Sequence, residues 1–582
     1  MRRAGKVMTG LMACMLAGSC LAGCGDNHGG KTVIKFWGSA SEEEAEALNA
    51  VVSTYNETNT DNIWLDYQPQ PDGGYADKIS RVLSGAGGGP DIFYVSERNF
   101  KLWAQLGYLE NLQSRIDEAE IDLDGMWYSS VQRYRYNPAK NTNNADDDLY
   151  CVPKDISPTA VYYNKTMLEN QGIVVISVDE DKIDAFNNGA PDNVGKTKSD
   201  YGISGTVLKK GFYRERPFDG YNWTKPVYGT NGKVAETMIF NNRIAMSWDE
   251  IEDLAMILTK EANDKLNDPT GQMQWGYFTE WWFNYGWGVG GDCAVDTTGE
   301  GDWVFTLGDT TKKCVLYNED GSYAYNASHQ VIFVEENKTS TYNKESGQYF
   351  GNPLPSQREA LDRFVGISRT DNNRGVAIAP TPQQIGTKEP LSFFTQGKVA
   401  MLVNQNYLIN SMRKMIGNRF EWDVCPLPVY KEYEDIYGDD VKTQGINIGH
   451  SGSTGFGIWT NSNHKDEAFK VITYLTGAES QTIMSNAGFT MCNQRDIAQK
   501  EYVEAQVEKG LSPRNIQVFV EYGDVQRPAD WWYMPDDAWI DEWATLLNKE
   551  VRNGDMTVDR LFELKTDSTN ELLKKFKQNA AN

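Results

Sequence analysis

Thr32-Val33-Ile34-Lys35-Phe36-Trp37 opens an alternation of strand-like and helix-like segments that leaves few folds available to this chain. It leads through Gly38-Ser39-Ala40 into a helical stretch. There Ser41 and Glu44 have capping-box spacing, and Ala45, Leu48, Val52 and Tyr55 share a face. A second strand follows at Ile63-Trp64-Leu65-Asp66-Tyr67, a second helix around Tyr75 to Leu83, and a third strand at Asp91 to Val95. This spacing predicts a parallel sheet with crossover helices, an α/β architecture. Ligands of such sheets gather beyond the carboxyl ends of the strands, which points to Trp37-Gly38-Ser39 and to Val95-Ser96-Glu97-Arg98.

Ahead of this body stand a basic head (Arg2, Arg3, Lys6) and an apolar run, Val7 to Leu16, too short to span a bilayer. Leu21-Ala22-Gly23-Cys24 then resembles the lipobox of bacterial lipoproteins, in which the leader is removed and the new N-terminal cysteine carries lipid. Ala17-Gly18-Ser19-Cys20 fits less well, lacking a large aliphatic residue three positions ahead of its cysteine. The expectation is a signal peptide over 1–23, lipidation at Cys24 and a flexible tether over 24–31. An ordinary, unmodified secretory signal is the alternative. Either way the mature chain works outside the cytoplasm.

With 582 residues the chain exceeds one ordinary domain. Its formal net charge of −25 disfavours nucleic acid or an anionic lipid surface as partner. After Cys24 come Cys151, Cys293, Cys314, Cys425 and Cys492, an odd set without metal-ligand spacing. A Cys293–Cys314 bridge would close one excursion, but nothing local demands it. The four histidines form no paired helical motif, so neither a metal nor another cofactor is expected.

Aromatic residues are abundant, with 17 Trp, 30 Tyr and 22 Phe, and the tryptophans cluster. Aromatic clusters with polar neighbours suit a ligand that is flat on one side and hydroxylated at its rim. The stretches 174–247 and 292–350 are polar and irregular and read as insertions on the body. Helical order returns at Glu359 to Arg369 and Lys465 to Leu475. It returns again where Trp543, Leu547 and Val551 share a face that Gly554 ends.

Several motifs fall in order along the chain. They are Tyr75-x-x-Lys78 with Gly89-Pro90-Asp91-Ile92, Ala104-x-x-Gly107-Tyr108-Leu109-Glu110, and Val152-Pro153-Lys154-Asp155 with Tyr162-Tyr163-Asn164-Lys165. Ser247-Trp248-Asp249-Glu250, Phe394-x-x-Gly397-Lys398-Val399-Ala400-Met401, Trp422-Asp423-Val424-x-Pro426-Leu427-Pro428 and Gly554-Asp555-Met556-Thr557-Val558 complete the series. Together they resemble the extracellular solute-binding proteins of carbohydrate ABC transporters, the group that includes maltose-binding protein. Relatives in Gram-positive bacteria are lipid-anchored, in keeping with the lipobox.

The resemblance implies a two-lobe periplasmic-binding-protein fold of type II, with the ligand held between lobes joined by hinge crossovers. These crossovers are expected near Tyr162–Asn164, Ser453–Ile458 and Met491–Gln494. One lobe would combine 32–162 with 455–492, the other 165–453 with 495–578. The implied protein is a monomer on the extracellular face of the membrane, carrying an oligosaccharide to permease subunits.

Sugars offer C–H groups on a ring face and hydroxyls around the edge, so a cleft should pair aromatic faces with carboxylates, amides or Arg. Tyr277, Glu280, Trp281 and Trp282 meet that description, and the family's stacking aromatics fall on this segment; an aromatic core segment is the competing reading. Asn404 and Tyr407 follow the apolar run Val399 to Val403, and Trp531-Trp532-Tyr533 with Trp539 forms a third cluster, from which Trp532 and Trp539 are candidates. Trp37, Ser39, Ser96, Glu97 and Arg98 are the candidates on the first lobe. Ser157 stands where a hydroxyl-binding glutamate sits in maltose-binding protein, which argues against maltodextrin specificity and makes Asp155 the alternative acceptor. Gly449-His450-Ser451-Gly452-Ser453 departs from a hydrolase nucleophile elbow at its fifth position; Gly452 is instead a candidate for backbone contact with ligand. No catalytic residue is assigned. A secreted glycoside hydrolase, needing two carboxyls across the bond, and a receptor of the same architecture for a non-sugar solute are the rival readings.

Overall fold

The computed structural model describes residues 28–580 apart from 72, 86, 221, 265, 267–272, 308–312, 319–323, 325, 327–331, 336–338, 344–347, 387–388 and 489–490. The leader, the lipobox with Cys24, and the tether as far as Asn27 lie outside the described residues.

The opening alternation folds as strand β1 (Thr32–Ser39), helix α1 (Glu42–Thr58), β2 (Ile63–Gln70), α2 (Tyr75–Leu83) and β3 (Ile92–Ser96). β1 is central and pairs in parallel with both β2 and β3. Ser41 caps α1, its Oγ accepting from the Glu44 amide at 3.2 Å. The reciprocal half of a capping box does not form, because the Glu44 carboxylate is taken by Lys154 Nζ at 2.7 Å. Strand Thr454–Ile458 adds antiparallel to β3, and β4 (Val152–Pro153) adds beyond it. Leu48, Val51 and Tyr55 of α1 join Ile34, Phe36 and Phe456 in one core.

A second sheet is organised around β5 (Asp155–Asn164), which is buried along its entire length. Its first residues pair with Met491–Cys492 and Gly449–Gly452, its later ones with Val399–Gln405 and Trp422–Cys425. Trp275–Phe278 and Gln526–Arg527 extend the sheet on either side. A strand covered on both faces calls for an unbroken apolar run, which Ala160, Val161, Tyr162 and Tyr163 provide, all fully buried. A separate core surrounds this sheet, so the molecule is a two-lobe α/β protein.

The chain crosses between the sheets at Lys154, at Ser453 and at Met491–Cys492. The first crossing comes earlier than the Tyr162–Asn164 expected, because β5 belongs to the second sheet from its first residue. Side chains lace the crossings together. Ser453 Oγ donates to the Asp155 carbonyl at 2.7 Å, the Thr454 amide donates to Asp155 Oδ1 at 2.9 Å, and Asn493 Nδ2 donates to the Pro153 carbonyl at 2.7 Å.

The 174–247 insertion has a small sheet (Val174–Ile176, Met238–Asn241, Phe212–Arg214) and a core of its own that includes Ile176, Phe186 and Ile239. The buried Arg214 ties it to the second lobe, bonding Glu236 at 3.1 Å and Asp253 of helix Trp248–Ile257 at 3.0 Å. The second insertion begins with the antiparallel pair Ala294–Asp296 and Trp303–Phe305, and its last strand, Gln348–Pro353, runs past 350. Cys293 is a buried free thiol, so the Cys293–Cys314 bridge does not form. Among the described residues no helix is long and apolar enough to cross a membrane.

Candidate ligand-binding cleft

A cavity of about 400 Å³ lies between the lobes, where the carboxyl ends of β1 and β3 face the crossings. The first lobe lines it with Ser39, Glu44, Tyr94, Ser96 and Glu97. The crossings contribute Lys154, Asp155, Ser157, Ser453 and Thr454. The second lobe contributes Gln405, Tyr407, His450, Gly452 and Trp531.

Glu97 is the first residue of α3 (Glu97–Gln105), where the helix dipole favours a negative charge. Its Oε2 accepts from Arg133 Nη1 at 2.6 Å, and Arg133 is itself fully buried. The same guanidinium reaches into the second lobe, donating to the Ser451 carbonyl at 2.9 Å and to Ser451 Oγ at 2.7 Å. The other Glu97 oxygen is 3.3 Å from His450 Nε2, whose Nδ1 is 3.3 Å from Gln405 Nε2. Trp281, Phe283 and Trp531 surround the imidazole, with ring centroids at 5.3, 5.8 and 5.7 Å. Carboxylate, imidazole and carboxamide thus form one connected polar wall with an indole beside it.

At the first crossing, burial opposes the charge on Lys154. Asp155 and Glu44, each 2.7 Å from Nζ, outweigh it and hold the ammonium well above its usual pKa. Burial also pushes the Tyr94 hydroxyl well above its usual pKa, keeping it a neutral donor; it is buried without a hydrogen-bond partner among the described residues. Ser157 Oγ donates to Asn406 Oδ1 at 2.6 Å, which fixes the turn that presents Tyr407. Tyr407 lines the cavity and is 48% exposed. Acceptors from both lobes, flanked by Trp531 and Tyr407, make a wall suited to a neutral polyhydroxylated molecule.

Of the residues singled out in the sequence, Ser39, Ser96, Glu97, Asp155, Ser157, Tyr407 and Gly452 line this cavity. The others lie elsewhere. Trp37 Nε1 donates to Gln68 at 2.8 Å, with the Lys78 ammonium over its ring. Arg98 is turned outward to pair with Asp537. Tyr277, Trp282, Trp532 and Trp539 are buried in the second lobe's core, which corrects their assignment as ligand plates. The turn from Trp281 into helix Phe283–Gly288 buries Phe283, Tyr285 and Trp287, and Trp282 packs edge-on against Trp543 at 4.5 Å. Trp281 is half-buried beside His450; Glu280 is not among the cavity-lining residues, and burial of its carboxyl pushes its pKa up. Asn404 gives way to its neighbour Gln405. Lys154, Gln405, His450 and Trp531 were not singled out. Each belongs to a motif noted in the sequence, but only folding decides which side chain of the motif faces the gap.

The model of the bacterial extracellular solute-binding protein family matches residues 39–180 and 174–482. No curated protein matches the chain in sequence. Among solved structures, the chain is similar to an ABC substrate-binding protein from Listeria monocytogenes in complex with cycloalternan. The identity is 16% over 94% of this chain and 99% of that one, with a TM-score of 0.53. It is similar to the GacH receptor of Streptomyces glaucescens, solved unliganded and with acarbose, at 16% identity, the same coverages and a TM-score of 0.54. Maltose-bound MalE3 from T. maritima matches at 14% identity over 94% and 99% of the two chains, with a TM-score of 0.51. At these identities the likeness is one of fold.

Proposed function

The chain belongs to the bacterial extracellular solute-binding protein family, and on that premise we propose that it is a carbohydrate receptor. It closes its lobes on an oligosaccharide and delivers it to an ABC permease. It does so as a monomer on the outer face of the membrane, anchored by lipid on Cys24.

One observation carries the reading. The interlobe cavity has Trp531 and Tyr407 on its wall among polar side chains from both lobes. A ligand touching both walls favours the closed state by the sum of contacts that the open state lacks. The solved structures named above hold cycloalternan, acarbose and maltose, which is the ligand class that such a wall fits. The reading involves no bond-breaking step. Glu97 is held by Arg133, and Asp155 and Glu44 by Lys154, so the three cavity carboxylates act as fixed acceptors rather than as a general acid and its partner.

Isothermal titration against linear gluco-, manno- and galacto-oligosaccharides tests the proposal. We expect saturable binding to at least one series, weakened about tenfold or more by Trp531→Ala, the loss of one aromatic stacking partner. Absence of binding to every series refutes it. Metabolic labelling with palmitate, set beside a Cys24→Ala variant, tests the anchor; equal labelling of both refutes lipidation at Cys24.

A further inference from the structure

Charge on the cavity wall is unevenly shared. Glu44, Glu97 and Asp155 bring three carboxylates, and Lys154 brings the one ammonium among the described residues that line it. That ammonium is committed. It lies 2.7 Å from Glu44 Oε1 and 2.7 Å from Asp155 Oδ2, and 5.0 Å from the centre of the Tyr94 ring. The Lys154 side chain is 7% exposed, so an incoming anion competes with two carboxylates already in contact with Nζ.

Three further cations belong to the surroundings of this wall, and each is engaged elsewhere. Arg133 backs Glu97 from a fully buried position, and its other bonds go to Ser451 and to the Ser129 carbonyl. Arg98, next to Glu97 in the chain, pairs with Asp537. Lys78 donates to Gln70 Oε1, with its ammonium 4.9 Å from the centre of the Trp37 ring. None of the three lines the cavity. Ser39, Ser96 and Gln405 can donate to a ligand there, but they neutralise no charge.

We propose that the cleft is a charge filter, taking uncharged glycans and rejecting those whose enclosed rings carry carboxylate, sulfate or phosphate. A sugar hydroxyl both donates and accepts, so it can meet either a serine or a carboxylate. A sugar carboxylate only accepts. Inside the cavity it gives up water, faces Glu44, Glu97 and Asp155, and finds no uncommitted cation among the described residues of the wall. Glu44 sets the balance, because it is the second carboxylate on Lys154. With a carboxamide at that position the ammonium is left to Asp155 alone, and an anionic ring is penalised less.

This inference rests on the carbohydrate reading, and the test separates the two. Linear gluco- and manno-oligosaccharides are titrated beside oligogalacturonides and oligomannuronides at pH 7. The best neutral binder is then compared with its C6-carboxylate and C6-carboxamide derivatives, which share a shape and differ in charge. The acid should bind on the order of 100-fold or more weaker than the amide, the cost of setting like charges together. The gap should persist in about 1 M NaCl, which screens the field of the −25 chain but reaches buried groups far less. Glu44→Gln should narrow the gap about tenfold, and an unchanged gap overturns the part given to Glu44. Equal binding by acid and amide, whether strong or weak, overturns the filter, as does a gap that vanishes in salt or a uronide that binds best. Each of those leaves the carbohydrate reading intact. Failure of every oligosaccharide, neutral or acidic, to bind overturns the carbohydrate reading, and this inference with it.

Discussion

Replacing Arg133 by Met removes the cation that holds Glu97 in place and joins the lobes behind the cavity. Arg133 has a fully buried side chain and Glu97 is 10% exposed, so the bond between them is shielded from solvent. Four hydrogen bonds go with the guanidinium, to Glu97, to two atoms of Ser451 and to the Ser129 carbonyl. Met fills most of the volume but leaves a carboxylate desolvated and uncompensated, which costs about 3–5 kcal/mol. Glu97→Gln in the same background removes that stranded charge, so the double variant should recover more than half of the loss. Urea unfolding followed by tryptophan fluorescence measures both.

A single variant within about 1 kcal/mol of wild type, the ordinary range for an exposed pair, would falsify the argument that this ion pair is a buried joint. Unequal recovery is allowed, but a double variant no more stable than the single refutes it equally.

Burial pushes Asp530, next to the cavity residue Trp531, up to about 7; Arg527 opposes this and Asp292 adds to it. A folded pKa above the unfolded one means that wild type loses stability as pH rises from about 4 to about 7, whereas Asp530→Asn does not. Their difference in melting should widen across that window by an amount on the order of a few kcal/mol, and a constant difference refutes the reasoning. Gly276→Ala places a Cβ 1.9 Å from the Ala255 carbonyl oxygen; backbone cannot swing aside, so a loss of about 1–3 kcal/mol or more is expected in thermal melts, and an unchanged melting temperature counts against it. Cys151, Cys293, Cys425 and Cys492 are buried, and burial raises each thiol's pKa. Iodoacetamide should therefore modify them in urea but not in the native protein, as read by intact mass; native alkylation contradicts the packing.

The βαβαβ opening was legible in the sequence because β1, β2 and their helices each bury one face, leaving a periodic trace, while β3 is a short apolar run buried on both faces. The lining of the candidate cavity was legible wherever chain direction alone fixed it, as at Ser39, Ser96 and Glu97, which lie at the carboxyl ends of parallel strands. It was not legible among the aromatics. Trp282 and Trp531 have similar polar neighbours in sequence, yet one packs on Trp543 and the other lines the cavity. That choice is made by contacts hundreds of residues away, as when Lys101 captures the Tyr533 carbonyl. The first crossing was misplaced for a related reason. Nothing in the apolar run of β5 marks which sheet it serves, and Lys154 reveals itself as a joint only once Glu44 and Asp155 close around it.

His28 stacks on Trp64 with ring centroids 4.3 Å apart, and Trp64 lies on β2, the outermost strand of the first sheet. At its N-terminal end the described chain therefore lies against the outer edge of the first lobe. Under the anchored reading proposed above, a leash upstream would steady that half and leave the other as the swinging part.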